Sequence, residues 1–328
     1  MGECLRHGTP RAAPRLLALA GLAMALASRA SPATPGDAGW ADVTAFGAVG
    51  DGVTDDTAAF ARAAATGKGL RVPRSSAHYK VTSKIRVHGS VHGVGMPEIR
   101  MYGADGKESH SIFELRDYDG AGAVFSGLHL NGGWDGAGAA GEWSHLILIK
   151  GSRNVTIEHN LLERPYGDCV LVGGEGVPAP SQNVVIRDNE LSEPRRCTVA
   201  LVSAKQVVIE RNVHRKRLSN YVSAVDLEPN PNGLDVVNGV SIRDNTFDCA
   251  AMAYHGPAVA LYDPPGNAGA PQSGNVTVAD NRGAWENFFG VVDGSRPWVN
   301  VSVSNNRPAP PPQAFHRDQL ERRAASQR

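Results

Sequence analysis

The sequence predicts an all-β solenoid, a right-handed parallel β-helix, because one short pattern recurs along the chain at variable spacing. The pattern is x-V-x-(I/V)-x-x-N, and each copy alternates apolar and polar residues, is rich in Val and Ile, and ends at Asn. Its copies are NVTIEHN (154–160), NVVIRDN (183–189), QVVIERN (206–212), GVSIRDN (239–245), NVTVADN (275–281) and NVSVSNN (300–306). A weaker copy, GLHLN, ends at Asn131.

Each copy predicts a short strand that stops at its Asn, a residue that tolerates a left-handed backbone. A second apolar strand between copies predicts two strands per coil; its examples are HLILIKG (145–151), DCVLVGG (168–174), TVALVSA (198–204), SAVDLEP (223–229) and PAVALYD (257–263). Parallel stacking would place the Asn amides about 4.8 Å apart, where they can hydrogen-bond from coil to coil. A hairpin sandwich, the competing fold, would not superpose one residue type in this way.

Alternation also predicts which side chains face the core. The Val and Ile of each copy point inward, and the neighbouring positions point outward. Four outward residues then stack with alternating charge on successive coils, namely Glu158, Arg187, Glu210 and Arg243. We expect this charged ladder to be structural.

The N-terminal part of the predicted solenoid carries a family resemblance. Residues 45–62, AFGAVGDGVTDDTAAFAR, contain a Gly-rich turn and then a helix with Thr54 or Asp55 as N-cap, ending near Gly67. With RVPRSSAHYKVTSKIRV (71–87) and VHGVG (91–95), this segment resembles the N-terminal module of the pectate-lyase-like superfamily, which includes polygalacturonase-related proteins, β-helical lyases and phage tailspikes. The resemblance covers roughly residues 42–306. It implies a short capping helix and a polysaccharide bound along an outer groove. It also implies that Asp51, Asp55 and Asp56, which lie in this cap segment, are structural.

The chain ends differ in composition from the repeats. Three arginines precede the apolar run LLALAGLAMALA, and ASRASPA follows it, so residues 1–33 are predicted to be a signal peptide. Residues 34–306 form one predicted domain, with a cap module at 40–95 and repeats at 120–306. The Pro-rich, charged tail 307–328 is predicted to be disordered. We therefore expect a secreted or periplasmic protein that has no membrane segment after signal cleavage.

Composition excludes several other classes of protein. The chain has 33 basic and 33 acidic residues and no basic stretch interleaved with aromatics, so nucleic acid is not an expected partner. After signal cleavage Cys169, Cys197 and Cys249 remain, an odd number without zinc-site spacing. Cys169 and Cys197 fall near one another in the repeat, and either a bridge between coils or two buried free thiols fits.

A pair of acids is the predicted catalytic centre. Aligning the second strands without gaps turns Asp226 and Glu228 outward, with Cα atoms about 6.6 Å apart. One carboxyl would protonate the leaving oxygen while the other activates water or attacks, because mutual repulsion separates their pKa values. The same pair can instead hold calcium or bond to backbone amides and neighbouring basic residues.

Further polar residues are predicted to line the same face. The register places Lys150, Ser203 and Tyr262 in one column with Glu228. Cations from this set would neutralise a uronate carboxylate, and a Tyr or His would act as base in a lyase or epimerase. The predicted substrate-binding residues are Lys150, Arg195, Arg196, His255, Tyr262 and Asp263.

The resemblance and the acid pair together predict a secreted glycoside hydrolase that acts on a uronate-containing polysaccharide. A polysaccharide lyase or C5-epimerase and a non-catalytic glycan-binding or adhesin β-helix are the alternatives. No cofactor or metal is expected for a hydrolase, whereas a lyase would use Ca²⁺. The chain departs from polygalacturonases, since Cys169 follows Gly167-Asp168 where that family has a second Asp, and the NTD and RIK motifs are missing.

Overall fold

The protein is a right-handed parallel β-helix with three short strands in each coil. The computed structural model describes residues 39–138, 141–174, 179–218, 223–230, 234–248, 257–263, 272–285, 289–294 and 298–308, with the backbone alone at 263 and 291–294. The predicted signal peptide, Cys249, His255 and tail residues 309–328 lie outside the described residues.

The strands follow one another at short intervals, and a single α-helix lies near the start of the described chain. Helix α1 spans Thr57–Ala64, after a 3-10 turn at Val43–Phe46. The strands are β1 (Trp40–Asp42), β2 (Gly69–Pro73), β3 (Tyr79–Val81), β4 (Ile85–Val87), β5 (Val91–Val94), β6 (Glu98–Met101), β7 (Phe113–Arg116), β8 (Ala123–Ser126), β9 (His129–Asn131), β10 (Ile147–Lys150), β11 (Arg153–Glu158), β12 (Leu161–Glu163), β13 (Val170–Val172), β14 (Ser181–Arg187), β15 (Glu190–Ser192), β16 (Val199–Leu201), β17 (Ala204–Glu210), β18 (Val213–Arg215), β19 (Val225–Leu227), β20 (Val237–Arg243), β21 (Thr246–Asp248), β22 (Val259–Asp263), β23 (Gly274–Ala279), β24 (Arg282–Ala284), β25 (Phe289–Gly294), β26 (Val299–Ser304) and β27 (Arg307–Pro308).

Three parallel sheets run along the solenoid. From β2 onward, successive strands enter sheets A, B and C in turn, and β1 pairs with β2 in sheet A. Across the described ranges the sheets contain ten, nine and eight strands respectively. The sequence prediction of two strands per coil is therefore wrong. The missed strands belong to sheet B and are mostly three residues long, as in Leu161–Glu163, which is too short for alternation to be recognised.

The core is one continuous column of apolar side chains inside the three sheets. Val155 and Ile157 of β11 lie opposite Val184 and Ile186 of β14, and all four are buried. The inward orientation predicted for the repeats is confirmed. Burying each such side chain contributes about 1.5–3 kcal/mol before the entropic cost of ordering the chain.

An asparagine ladder closes the turn between sheets A and B. Each amide donates to the side-chain oxygen of the next Asn at 2.9–3.1 Å. Each also donates to a main-chain carbonyl, as Asn212 does to Ile186 at 2.8 Å. Because the stacked residue satisfies the amide, burial leaves no unpaired polar group. The predicted ladder is confirmed for Asn160, Asn189, Asn212, Asn245, Asn281 and Asn306.

Two details of this turn differ from the prediction. Asn131 is outside the ladder, because it lies in β9 opposite Glu163. Leu128 occupies the ladder position in that coil, and its N–H donates to the side-chain oxygen of Asn160 at 3.0 Å. The left-handed residue is the one before each ladder Asn, for example Asp188 with φ 56°, so the Asn itself is free to turn its amide into the stack.

The outward charges of sheet A pair as predicted. Arg187 and Glu158 on adjacent strands are 2.7 Å apart, and Arg243 lies 2.6 Å from Glu210. These contacts join successive coils along one column of the sheet. The predicted stacking of alternating charges on successive coils is confirmed.

Helix α1 packs over the first coil, and the acids before it bond to nearby backbone. It begins at Thr57, later than the N-cap predicted at Thr54 or Asp55, although the Asp55 carboxylate accepts the N–H of Thr57 at 3.0 Å as a capping side chain does. The Asp56 carboxylate accepts the N–H of Val49 at 2.7 Å. Phe60, fully buried on this helix, packs edge-on against Tyr79 with ring centroids 5.4 Å apart.

Cys169 and Cys197 are both buried free thiols, so of the two arrangements left open by the sequence the structure has the unbridged one. Within the described ranges, no helix combines the length and the apolar character that crossing a membrane requires.

The asparagine ladder predicts that replacing Asn212 lowers the stability of the protein strongly. Asn212→Ala leaves buried groups without partners on both adjacent coils, so the free energy of unfolding should fall by about 2–4 kcal/mol. Asn238→Ala is the matched control, because the side chain of this Asn of β20 makes only solvent-exposed hydrogen bonds among the described residues: its amide donates to the Gln272 carbonyl at 3.4 Å, and its side-chain oxygen accepts from Asn275 at 3.1 Å. Chemical unfolding should show a change below about 1 kcal/mol for the control; equal losses in both variants would contradict the ladder's role.

Stability should also fall as pH falls because of His214. This ring is fully buried, stacks on Phe247 and hydrogen-bonds to the Thr198 hydroxyl at 2.7 Å. Burial lowers the pKa of His214 from 6.5 to about 3. Between these values the unfolded chain binds a proton that the folded protein does not, so unfolding becomes easier by about 2–3 kcal/mol between pH 6.5 and 4.5.

Unfolding of His214→Gln by denaturant at several pH values tests this expectation. The variant should lose less stability than the natural protein over the same pH range, whereas His88→Gln, an exposed site, should follow the natural protein. Parallel curves for all three proteins would exclude His214 as a source of acid sensitivity.

Candidate functional site

The predicted acid pair lies at the end of β19 in sheet C. Asp226 lies between Ala200 and Ala260 of the adjacent strands, on the outer face of the sheet. Glu228 follows the strand, and its N–H donates to the carbonyl of Leu201 at 2.9 Å. The Asp226 residue is only 2 % exposed, whereas the Glu228 side chain is 25 % exposed. Of the two acids, Glu228 is therefore the one placed to meet a ligand.

Asp226 adjoins a small apolar cluster outside the main core. That cluster consists of Leu148, Leu171, Cys197, Ala200 and Val202. The Cys197 thiol donates to Asp226 Oδ2 at 4.0 Å, and Oδ1 has no hydrogen-bond partner in the described part of the chain. Burial and the negative charge of Glu228 raise the pKa of Asp226 far above its ordinary value, although Arg196 opposes this. The surroundings of Asp226 thus favour the neutral form of its carboxyl.

Arg196 gathers three carboxylates beside this pair. Its guanidinium contacts Glu228 Oε1 at 2.8 Å, Glu142 Oε2 at 3.1 Å and Asp168 Oδ1 at 3.7 Å. The four residues are called the Arg196 cluster below. Burial acts to lower the pKa of Arg196, but the surrounding carboxylates raise it overall. The guanidinium therefore stays positively charged. The Arg196 side chain is only 6 % exposed and lies in the turn before β16 of sheet C.

Asp168 anchors the cluster from the start of β13. It is fully buried, its Oδ1 accepts the N–H of Cys197 at 2.9 Å, and His145 Nδ1 lies 3.1 Å from its Oδ2. Burial raises its pKa, but Arg196 and His145 more than offset that effect and lower the pKa overall. Asp168 therefore supplies a permanent negative charge that orients Arg196.

Glu228 titrates near neutral pH as a result of these neighbours. Burial raises the pKa of Glu228, the positive charge of Arg196 lowers it, and the negative charges of Asp168 and Glu142 raise it again, to about 7. The ordinary value is 4.5. A carboxyl that is half protonated at neutral pH can both donate and accept a proton, which general acid–base chemistry requires.

Two of the predicted substrate-binding residues share the column of Glu228. The register of sheet C places Tyr262 beside Glu228 and Lys150 further along the same column. Lys150 ends β10, three strands from β19, a separation of about 14 Å. Ser203 is displaced from this column, because Leu201 pairs with Leu227 and Val202 then takes the place predicted for it.

The remaining predicted binding residues have other positions. Arg195 donates to the backbone carbonyls of Tyr166, at 2.8 Å, and of Gly141, so it holds the turn that carries Glu142. Asp263 follows an irregularity in the pairing of β22 with β25, and only its backbone is described. His255 lies outside the described residues. The binding roles assigned to all six residues remain predictions.

Sequence reasoning missed Glu142, Asp168 and His145. Glu142 lies in the long turn between β9 and β10, which has no counterpart in the repeat pattern, so no periodic signal marks it. For Asp168, the only signal in the sequence was the partial match of Gly167-Asp168 to the polygalacturonase pattern. Among the described residues no group of three or more His, Cys, Asp or Glu is placed to hold a metal ion.

Comparison with known proteins supports the fold more than the chemistry. No family model matches the chain. A pre-neck appendage protein of Bacillus phage B103 is 24 % identical over 265 residues, which cover 73 % of this chain and 29 % of that protein. The chain thus spans less than a third of this curated relative.

Solved structures of two surface proteins superpose on most of the chain. The tailspike protein gp49 of Acinetobacter baumannii bacteriophage Fri1, a capsular polysaccharide depolymerase, has a TM-score of 0.56 and 16 % identity, covering 83 % of this chain and 51 % of its own. PfbA, a surface adhesin of Streptococcus pneumoniae, has a TM-score of 0.55 and 16 % identity, covering 84 % and 80 %. This chain therefore has the right-handed parallel β-helix fold of tailspikes and pectate-lyase-like proteins, as its sequence predicts.

Proposed function

We propose that this protein hydrolyses a polysaccharide and that Glu228 is the acid that protonates the leaving oxygen. The observation that carries the proposal is the pKa of about 7 for a carboxyl that is partly open to solvent. Arg196 binds Oε1 of this carboxyl, so the proton can reside on Oε2 and face the substrate. An ordinary Glu would be ionised at neutral pH and could not act as the acid.

Glu142 is the second carboxylate in this proposal. Its side chain is 64 % exposed and contacts the same guanidinium as Glu228. Two carboxyl groups bonded to one guanidinium fit the separation of roughly 5–9.5 Å that glycosidases use. While Glu228 carries the proton, Glu142 would activate water or attack the sugar. The catalytic role predicted for Asp226 is harder to reconcile with its burial and remains a prediction.

The comparisons support a glycan as the ligand but not a particular reaction. The Fri1 tailspike is a polysaccharide depolymerase, which favours cleavage, whereas PfbA is an adhesin, which favours binding without turnover. A uronate-containing substrate and a secreted or periplasmic location are part of the proposal. A lyase or epimerase on the same fold would give different products.

A panel of polysaccharides incubated with the protein separates these alternatives. New reducing ends without absorbance from an unsaturated uronate support hydrolysis. Unsaturated products would identify a lyase, and changed uronate stereochemistry without cleavage an epimerase. Binding with none of these products would identify a glycan-binding protein and overturn the proposal.

Turnover should depend on both members of the proposed pair. Glu228→Gln and Glu142→Gln should each lower kcat by roughly 100- to 10,000-fold, because each removes one proton-transfer or nucleophilic group. Activity of the natural protein should fall as pH rises through about 7, where Glu228 loses its proton. The residual activity of Glu228→Gln should not show this decrease.

Asp119→Asn is the control for these variants, since its carboxylate is 79 % exposed in a turn outside the Arg196 cluster. It should retain full activity and the natural pH profile. If Glu228→Gln folds normally and keeps full activity, Glu228 is not the catalytic acid.

Asp226→Asn should stabilise the protein. The raised pKa of Asp226 means that the unfolded chain ionises first as pH rises above 3.8, so the carboxyl lowers stability at neutral and alkaline pH. Removing it should raise the free energy of unfolding at pH 8 by about 1–3 kcal/mol. We expect less than a tenfold loss of kcat; a loss as large as that of Glu228→Gln would make Asp226 a catalytic residue.

A further inference from the structure

A second polar cleft lies on the part of the solenoid that precedes the Arg196 cluster. It has a volume of about 530 Å³ and is formed where β6, β9 and β12 end in sheet B. Small-molecule sites commonly have volumes of 300–1,000 Å³. The cleft is therefore large enough to accept more than a single ion or water.

Aromatic rings line this cleft. Tyr102 and Tyr166 come from turns two coils apart, and both are partly exposed. The Tyr102 hydroxyl is held by His78 Nε2 at 2.9 Å, with the two rings stacked. Rings fixed in this way present apolar faces beside polar groups, a combination that suits a sugar, which has both C–H faces and hydroxyls.

The floor of the cleft is an ordered set of polar side chains. The Asn131 amide donates to both Glu98 and Glu163, at 3.3 and 3.1 Å, and His129 Nε2 lies 2.6 Å from Glu163. Burial acts to raise the pKa of Glu163, but the contact with His129 and nearby positive charges lower it overall. Arg100 is also paired, at 2.7 Å from Glu98. The side chains of Glu98, Glu163 and Arg100 are therefore held by partners within the protein.

Arg164 is different, because its guanidinium donors are unused within the described ranges, although its positive charge also lowers the pKa of the neighbouring Glu163. Its side chain is exposed and, among the described residues, its guanidinium forms no hydrogen bond or ion pair. The other acid of the lining, Asp135, accepts the N–H of Ala137 in its own turn at 2.9 Å. A planar guanidinium with free donors is suited to bidentate binding of a carboxylate.

We propose that this cleft binds a carboxylate-bearing sugar residue, with Arg164 bonded to the carboxylate and the tyrosine rings against the sugar faces. The inference rests on the proposed function for its ligand class, since a glycan must be the ligand. Arg195 bonds the backbone of Tyr166 to that of Gly141, next to Glu142. One glycan chain can therefore lie along the turns between sheets B and C and engage both sites.

The test measures binding of defined acidic fragments to the full chain by calorimetry, in a Glu228→Gln background that prevents cleavage. The probes are tetrasaccharides of polygalacturonate, alginate and hyaluronan, each compared with its carboxyl-reduced form. At least one acidic fragment should bind more tightly than its reduced form. Arg164→Gln should weaken that binding at least about tenfold and leave the reduced form unaffected.

Arg153→Gln is the matched control, because this arginine is 53 % exposed at the start of β11 in sheet A. It should bind the acidic fragments as tightly as the parent. The inference is overturned if none of the three fragments binds, or if Arg164→Gln binds the acidic and reduced forms like the parent. A circular dichroism spectrum unchanged by the substitution ensures that a loss of binding reflects the lost charge.

The two proposals fail separately. If the polysaccharide panel shows hydrolysis that depends on Glu228, but Arg164→Gln leaves fragment binding unchanged, the cleft inference fails and the proposed hydrolase stands. If no polysaccharide is cleaved, but an acidic fragment binds and Arg164→Gln weakens it, the cleft inference stands and the protein is a glycan-binding β-helix.

Discussion

Parallel stacking places each coil position directly above its equivalent in the next coil, and the structure depends on this constraint. A polar group buried at one level must find its partner at the level above or below, about 4.8 Å away. The asparagine ladder meets this requirement because one side chain both donates and accepts, so the same residue can repeat without limit. Asn189, for example, donates to Asn212 at 3.0 Å and accepts from Asn160 at the same distance. Stacked apolar residues then fill the interior.

The candidate functional residues lie where the repeat pattern is interrupted. On the outer face of sheet C the column contains Leu148, Leu171, Ala200, Asp226 and Ala260 in successive strands. Further along the same column Glu114 pairs with Arg86 at 3.0 Å, whereas the strand neighbours of Asp226 are both apolar, so its carboxyl is costly to ionise. The turns before the strands also differ in length and bring Glu142 and Arg196 together at 3.1 Å. Departures of this kind are where function is expected, because a solenoid that served stability alone would continue its repeat.

The sequence predicted those parts of the fold that repeat. Alternation placed Val155 and Ile157 in the core and Glu158 in the charged ladder, because period-two patterns directly encode which face is buried. Sheet B was missed because three residues are too few to show a period. Asn131 was misplaced for a related reason, since GLHLN matches the pattern in composition while its turn is shifted relative to the ladder.

The site was predicted only in part. Glu228 and Arg196, both named from sequence, lie 2.8 Å apart. The repeat register placed Glu228, whereas Arg196 reaches it from the turn before β16, which the pattern does not describe. The burial of Asp226 depends on residues outside its strand, and the position of Glu142 depends on a turn that Arg195 holds, so neither follows from local sequence. The pKa of Glu228 is likewise a property of four side chains brought together from separate coils.

The proposed hydrolysis depends most directly on the proton of Glu228. A carbon-13 NMR titration of its side-chain carboxyl, assigned by comparison with the Glu228→Gln variant, measures that pKa without assuming any substrate. A midpoint near pH 7 is the expected result. A midpoint near 4.5, the ordinary value for Glu, would show that the cluster leaves this carboxyl ionised at neutral pH and would contradict its role as the acid.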